Sequence, residues 1–495
     1  MEGGGGPAGD NDRWSRHGVG RSGEGPMTSS FALGAAFAGL GLLGMLRWRQ
    51  AVHLALLLAV FEGAVRKWIM PDVQQYVYFF KDALLLGAYA AFFWWRASTG
   101  QRLVSPHPAN LALGLLVVVS VLEMANPELP SPLVGVLGLK AYLMYVPLMY
   151  VVPAVLTDAA ALRRFWIRYL GLALIPFGLG SAQFYAPADS VLNRYPWGEE
   201  GTAGGVALFG LSNMARITGT FSFITGYTSY LVLLIVFGLA LAMGERARWL
   251  QWSLYGFVGV AVTNLVMTGS RGPFVVLGAA VPILVALSAR AGRGSGRRVA
   301  LTLAMSLPVI GLLVTGVVPE AGTAFVERAT ETGDIFERAV DAIGGPIWAM
   351  SRAGLTGYGI GSTHQAISFL APSSTMAPLE AEGEWVRIVL EMGPVGFGLV
   401  LLVRVLVARR LWAALTSPEA GAARPLLAGA FVYCLLSLPG DVVFTHTTSV
   451  FYWFVAGFAL VPGGSRLRSA ENAESGRGDG GVPGRNRRRR RPELA

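Results

Sequence analysis

Apolar residues fall in long runs along this chain, separated by short polar connections. The runs lie at 31–46, 51–68, 82–96, 109–124, 139–156, 166–183, 221–243, 251–268, 273–289, 299–318, 387–407, 425–440 and 448–463. Each is roughly 16–22 residues long, the length a helix needs to cross a bilayer. A period of two never dominates, and lipid cannot satisfy an open backbone, so helix is the conformation expected for every run. The pattern predicts an all-α polytopic membrane protein with about 12–13 transmembrane helices, spanning 31–464.

Two connections are much longer than the rest, at 185–220 and 319–386, the second between the span ending near 318 and the span starting near 387. Loops of that length in a compact protein are functional or disordered. Their aromatic residues, Gly turns and paired charges favour function. The ends of the chain read differently. Residues 1–30 form a Gly-rich polar stretch and 465–495 an Arg-rich one, and both are expected to be disordered tails.

Composition agrees with this reading. The chain is 53% hydrophobic and only 14% charged, well below the roughly 25% of a soluble domain. A single cysteine, Cys434, excludes an intrachain disulfide or a cysteine-based metal site. The net charge of +10 raises the possibility of nucleic-acid binding. The arginines, however, sit in short loops between apolar runs, which is the positive-inside pattern of a membrane protein. No nucleic-acid partner is therefore expected, and membrane lipids are. The groups Arg96/Arg102, Arg163/Arg164/Arg168, Arg246/Arg248, Arg290/Arg293/Arg297/Arg298 and Arg409/Arg410 all fall on one side, the inner one.

Several cations break that rule. Arg66, Lys67, Lys81, Lys140, Arg194, Arg216, Arg271, Arg338 and Arg352 map to the outer side, and they include all three lysines of the chain. An anionic ligand at the outer surface would account for them. Arg271 lies in the tight turn Gly269-Ser270-Arg271-Gly272-Pro273, where a guanidinium can reach a phosphate from a helix N-terminus. The competing explanation is an interfacial arginine that snorkels to headgroups. Further along, Gly357-Tyr358-Gly359-Ile360-Gly361 reads either as a phosphate-cradling loop or as a turn above the membrane. His364 has no partner at helical spacing. Glu380, Glu382 and Glu384 precede the span at 387. Successive alternate carboxylates point in different directions, so one can cap the helix while another faces a site and takes a proton.

Taken in order, these residues resemble a family. Arg216/Gly219/Phe221 precede a span, Ser270/Arg271/Gly272 form an outer turn, and Gly357/Gly359/Gly361 lie in a long loop. Glu382 follows, then Glu391/Gly393/Gly396 entering a helix. The set resembles the O-antigen ligase and O-antigen polymerase superfamily of bacterial membrane glycosyltransferases, over roughly 200–405. The resemblance implies a GT-C-type helical bundle in the bacterial cytoplasmic (inner) membrane, with its active face outward and no metal or other cofactor. It implies transfer of a glycan from a polyprenyl-diphosphate-linked oligosaccharide to a hydroxyl of an acceptor glycan or lipid. In that chemistry Arg216 and Arg271 match the family's arginines, and Arg338 or Arg352 adds a third. Lys140, Gly359, Gly361 and Glu384 are further candidates for substrate contact. Glu382 falls where the family often has His, with Gly383 where it has Asn. That departure favours a polymerase over a ligase, with Glu382 as the base.

Three other readings compete. A transporter or flippase of lipid-linked saccharides would place polar, broken helices near the membrane midplane, often in repeated halves. A peptidoglycan-polymerising glycosyltransferase would share the helical design without the Ser-Arg-Gly turn. A membrane scaffold would leave the outward cations without a purpose.

Overall fold

The computed structural model describes residues 26–196, 206–209, 214–290, 335–364, 367–370 and 383–461. Both expected tails lie almost wholly outside these residues, as does the predicted span 299–318. Helix α1 already begins at Pro26, inside the stretch assigned to the N-terminal tail. The described chain is all-helical. After α1 (Pro26–Leu46) come α2 (Trp48–Ala64), α3 (Phe80–Ser98), α4 (Asn110–Met124), α5 (Pro132–Leu143) and α6 (Leu148–Val155). Next are α7 (Ala159–Leu172), α8 (Leu174–Tyr185), α9 (Ile224–Gly244), α10 (Arg248–Met267) and α11 (Gly272–Arg290). The last are α12 (Ile335–Ala353), α13 (Glu384–Thr416), α14 (Arg424–Leu436) and α15 (His446–Ala456).

Fewer of these can cross a membrane than the apolar runs predict. Among the described residues seven helical stretches are long and apolar enough, or eight if α5 and α6, bent by 43°, count as one span. The run at 299–318 lies outside these residues, and others fall short for local reasons. The run at 51–68 yields only the 17-residue α2, which passes into a π turn at Val65–Ile69. The run at 448–463 yields the 11-residue α15 and a short 3-10 turn. The run at 139–156 is broken before α6 begins at Leu148, beside Pro147.

α9 is the axis of the bundle. Its apolar residues face all directions, and 78% of its apolar window is buried, against 17% for α11. A helix that is hydrophobic all round belongs in a core, and one that is apolar but little buried belongs against lipid. Trp166 of α7 stacks on Phe237 of α9 with ring centroids 3.9 Å apart.

α13 is not a straight rod. Gly393 has φ +62° and precedes Pro394, and the backbone breaks there. Twenty residues of straight helix would separate Glu384 from Arg404 by about 30 Å. The two side chains nevertheless form an ion pair, so the arm before Gly393 folds back along the arm after it. Any Cβ at position 393 would collide with the Leu355 carbonyl oxygen, so the break also lets the preceding loop dock closely.

Cross-contacts sort the helix ends into two groups. Thr220 Oγ1 donates to the Val60 carbonyl at 2.6 Å, Ile217 N to Met267 O at 3.3 Å, and Ile360 N to Glu123 O at 3.4 Å. These gather the ends that the loop charges assign outward, and all three lysines lie with them. At the opposite end, Arg163 pairs with Glu245 at 2.5 Å and Gln251 donates to the Ala242 carbonyl at 3.1 Å.

Candidate functional site

Three neighbouring polar assemblies occupy the end that the loop charges assign outward. The first is built on residues 214–222, which run between α10 and the end of α2. Arg216 donates from Nε to the Thr268 carbonyl at 2.7 Å and from Nη2 to Ser270 Oγ at 3.1 Å. Its guanidinium therefore fastens the turn from which Arg271 projects. Gly269, at φ +64°, completes that turn where a Cβ would lie 2.7 Å from the Phe209 ring. Farther along the segment, Lys67 Nζ donates to Thr218 Oγ1 and to the Gly219 carbonyl, both at 2.9 Å. Gln183 Oε1 accepts from Gly219 N at 2.7 Å, and Arg66 donates to Ser222 Oγ at 3.1 Å.

The second assembly surrounds Tyr78. Lys81 pairs with Glu62 at 2.5 Å and Lys140 with Asp82 at 2.8 Å, while the Tyr145 hydroxyl donates to Asp82 Oδ1 at 2.7 Å. Lys140 Nζ lies 3.8 Å from the Tyr78 ring centre and Lys81 Nζ 4.5 Å from it. Arg66 sits 5.7 Å over the same ring, and the His446 ring meets it edge-on at 4.7 Å. Burying this many charges is tolerable only because acid and base alternate and the aromatic faces favour cations.

The third assembly spans the fold-back of α13. Arg387 donates from Nε to Thr363 Oγ1 at 2.9 Å and from Nη2 to the Thr363 carbonyl at 3.1 Å. Thr363 in turn donates from Oγ1 to Glu391 Oε1 at 2.5 Å. The Arg387 guanidinium lies 3.8 Å over the Phe444 ring. Nearby, Glu384 and Arg404 form a buried ion pair. Arg404 donates to the carbonyls of Leu438 at 2.9 Å, Gly440 at 3.2 Å and Ser437 at 3.4 Å. Glu384 Oε2 accepts from Val443 N at 2.6 Å and Phe444 N at 3.5 Å. His364 feels the charges of both the second and the third assemblies. Burial, then the charges of Arg387 and Lys140, lowers its pKa to about 4, so it is neutral at ordinary pH.

The residues named from sequence are distributed unevenly over these assemblies. Arg216, Arg271 and Lys140 lie in them. Arg216 acts through the turn it holds. Glu384 is enclosed with Arg404 and serves the backbone of 437–444. Arg352 is exposed and stacks on Trp348 at 4.7 Å. Glu382 and the Arg338 side chain lie outside the described residues.

Within the Gly-rich run Gly359, Ile360 and Gly361 are buried, while Gly357 and Tyr358 are half-buried. A Cβ at Gly359 would lie 2.5 Å from Leu129 Cγ, and one at Gly361 would overlap the Val134 carbonyl. The Tyr358 amide donates to Leu390 O at 2.8 Å and the Ile360 amide to Glu123 O. Gly359 and Gly361 thus owe their place to close packing against the α4–α5 connection and α5, and the amides of Tyr358 and Ile360 are already bonded within the protein.

Sequence reading missed Arg387, Asp82, Asp441 and His446. Arg387 was hidden as the first residue of an apolar run. Asp82 was hidden beside a lysine already marked. Asp441 and His446 belong to no motif.

No protein-family model matches the chain, and no curated protein is significantly similar to it.

Proposed function

We propose that the protein is a membrane glycosyltransferase of the O-antigen ligase/polymerase type. It would act at the outer leaflet of a bacterial inner membrane and transfer a polyprenyl-diphosphate-linked glycan to an acceptor hydroxyl, as a polymerase rather than a ligase. The observation that carries this reading is the convergence of Arg66, Lys81, Lys140 and Arg387 with aromatic rings at the end of the bundle that holds the Arg271 turn. A diphosphate leaving group gathers negative charge as its bond to the sugar breaks. Cations fixed in advance in a low-dielectric setting stabilise that charge without reorganising. In this scheme the acceptor oxygen attacks the anomeric carbon, the sugar–phosphate bond breaks, and the diphosphate departs with the electron pair beside Arg271. Glu382 takes the hydroxyl proton, and Arg216 keeps the 268–271 turn in register.

The test is reconstitution of the purified protein with a polyprenyl-diphosphate oligosaccharide, with products scored for chain growth. Wild type should lengthen the glycan, while Arg271→Ala and Glu382→Gln should each abolish growth with membrane expression unchanged. Near-normal polymer in both variants would refute the mechanism.

One observation favours a second reading, a transporter of lipid-linked saccharides. The α5–α6 pair is bent and carries Lys140, which is paired with Asp82 of α3, and broken helices with charged residues are features of transporters. Movement of a labelled lipid-linked saccharide across a proteoliposome membrane without chain growth would select it.

A further inference from the structure

The buried Glu384–Arg404 pair raises the question of what so costly an arrangement holds in place. Such a pair adds little stability compared with apolar residues of the same size. Its hydrogen bonds, however, go to one short segment, the connection between α14 and α15. Arg404 takes the carbonyls of Ser437, Leu438 and Gly440, and Glu384 takes the amides of Val443 and Phe444. The backbone is thereby gripped on both sides of Asp441, and Asp441 itself is exposed. Its carboxylate forms no hydrogen bond or ion pair among the described residues.

Residues 442 and 443 are packed, and Asp441 is the part that solvent reaches.

Around Asp441 stand groups of complementary chemistry. Partial desolvation by neighbouring protein holds its carboxyl above the usual aspartate range, and the charges of Arg387 and Arg404 act against that shift. Arg387 spends Nε and Nη2 on Thr363, which leaves Nη1 as a donor. Phe444, under the Arg387 guanidinium, offers an apolar ring face in the same connection. A rigid acceptor, a nearby donor and an aromatic face suit a ligand that carries adjacent hydroxyls on an apolar ring.

We propose that Asp441, with Arg387 and Phe444, forms a saccharide subsite, in which the carboxylate accepts from sugar hydroxyls and Arg387 donates to a sugar oxygen. The assignment rests on the glycosyltransferase reading only in taking that sugar to be the acceptor. The Glu384–Arg404 pair is the clamp that fixes the subsite.

The experiment measures binding apart from turnover. Protein in lipid nanodiscs is titrated with free oligosaccharides hydrolysed from the envelope polysaccharide of the source cell, with no diphosphate present. Wild type should bind at least one of them, and Asp441→Asn should bind it about ten- to a hundredfold more weakly, the loss of one hydrogen bond to a charged group. Asp441→Asn changes an exposed side chain, and an unchanged melting temperature verifies its fold. Equal binding by wild type and variant overturns the subsite, as does failure of wild type to bind any of the oligosaccharides. Asp441-dependent binding by a wild type that transfers no glycan refutes the glycosyltransferase reading and leaves the subsite standing. Where transfer occurs, Asp441→Asn should raise KM for the acceptor much more than it lowers kcat.

Discussion

Arginine is used in opposite ways at the two ends of this bundle. At the inward end Arg47, Arg49, Arg102, Arg163, Arg164, Arg168, Arg246, Arg248, Arg290 and Arg409 are exposed, and Arg96, buried beside Ser105 and Phe92, is an exception. At the outward end Lys67, Lys81 and Arg404 are buried and Arg66, Lys140, Arg216, Arg271 and Arg387 are half-buried, while Arg194 and Arg352 are exposed. The exposed inward cations meet water and headgroups, and their work is to orient the chain. Among the enclosed outward ones, Arg66, Lys67, Lys81, Lys140, Arg216, Arg387 and Arg404 each have a specific partner: an acid, a backbone carbonyl, a hydroxyl or a ring. A charge withdrawn from water needs such a partner, and assembling one requires contacts from distant parts of the chain. The same residue type is therefore a signal at one end and a structural element at the other.

If that difference is real, removing a partner should matter greatly outward and little inward. The largest effect is expected at Glu384. Glu384→Ala would leave Arg404 buried without its counter-charge and two backbone amides without their acceptor. A loss of about 3–5 kcal/mol is expected, read as a drop in melting temperature in detergent. A sharper form replaces both members, Glu384→Gln with Arg404→Met. Were the pair only a charge balance, the double variant would recover most of the stability. Because both side chains also hold the backbone of 437–444, it should remain well below wild type.

Arg216→Ala comes next. It removes two charge-assisted hydrogen bonds from the 268–271 turn and should cost about 2 kcal/mol. Amide exchange would localise the effect, with protection lost at Gly269 and Ser270 and unchanged at the inward end. Protection that stays the same in that turn would show that Arg216 does not position Arg271.

How much of this was visible in the sequence follows from the range of each signal. The helices were legible because lipid imposes a length and a composition on every run, and both are local. The outward lysines were legible because they break an orientation rule that is also read locally. Their partners were not. Glu62 meets Lys81 and Asp82 meets Lys140 only after three separate helices have folded together. Glu384 meets Arg404 only because Gly393 breaks the helix between them. A lone glycine before proline in an apolar run marks a kink at most, and the sequence does not say that the two arms fold back on each other. The Gly-x-Gly-x-Gly run was legible as a place where backbone comes close to something. What it approaches proved to be the α4–α5 connection and α5, which composition cannot distinguish from a phosphate.

The inward end supplies the smallest prediction and the control for the others. Arg163 and Glu245 are 2.5 Å apart, and the arginine is exposed. A pair open to water contributes no more than about 1 kcal/mol. Burial alone would raise the Glu245 carboxyl, but the Arg163 hydrogen bond and the amides of Ala247 and Arg246 outweigh it and hold it below the usual range. In the unfolded chain a glutamate titrates near about 4.3. The contribution of Glu245 is therefore complete above that value and disappears as the pH falls through the lower, folded value. Glu245→Gln should accordingly melt slightly below wild type at pH 7, and the two curves should converge towards pH 3. The gap should also narrow as salt screens the pair. A large, salt-insensitive gap would mean that this contact is enclosed like those at the other end, and the contrast between the two ends would fail at its simplest point.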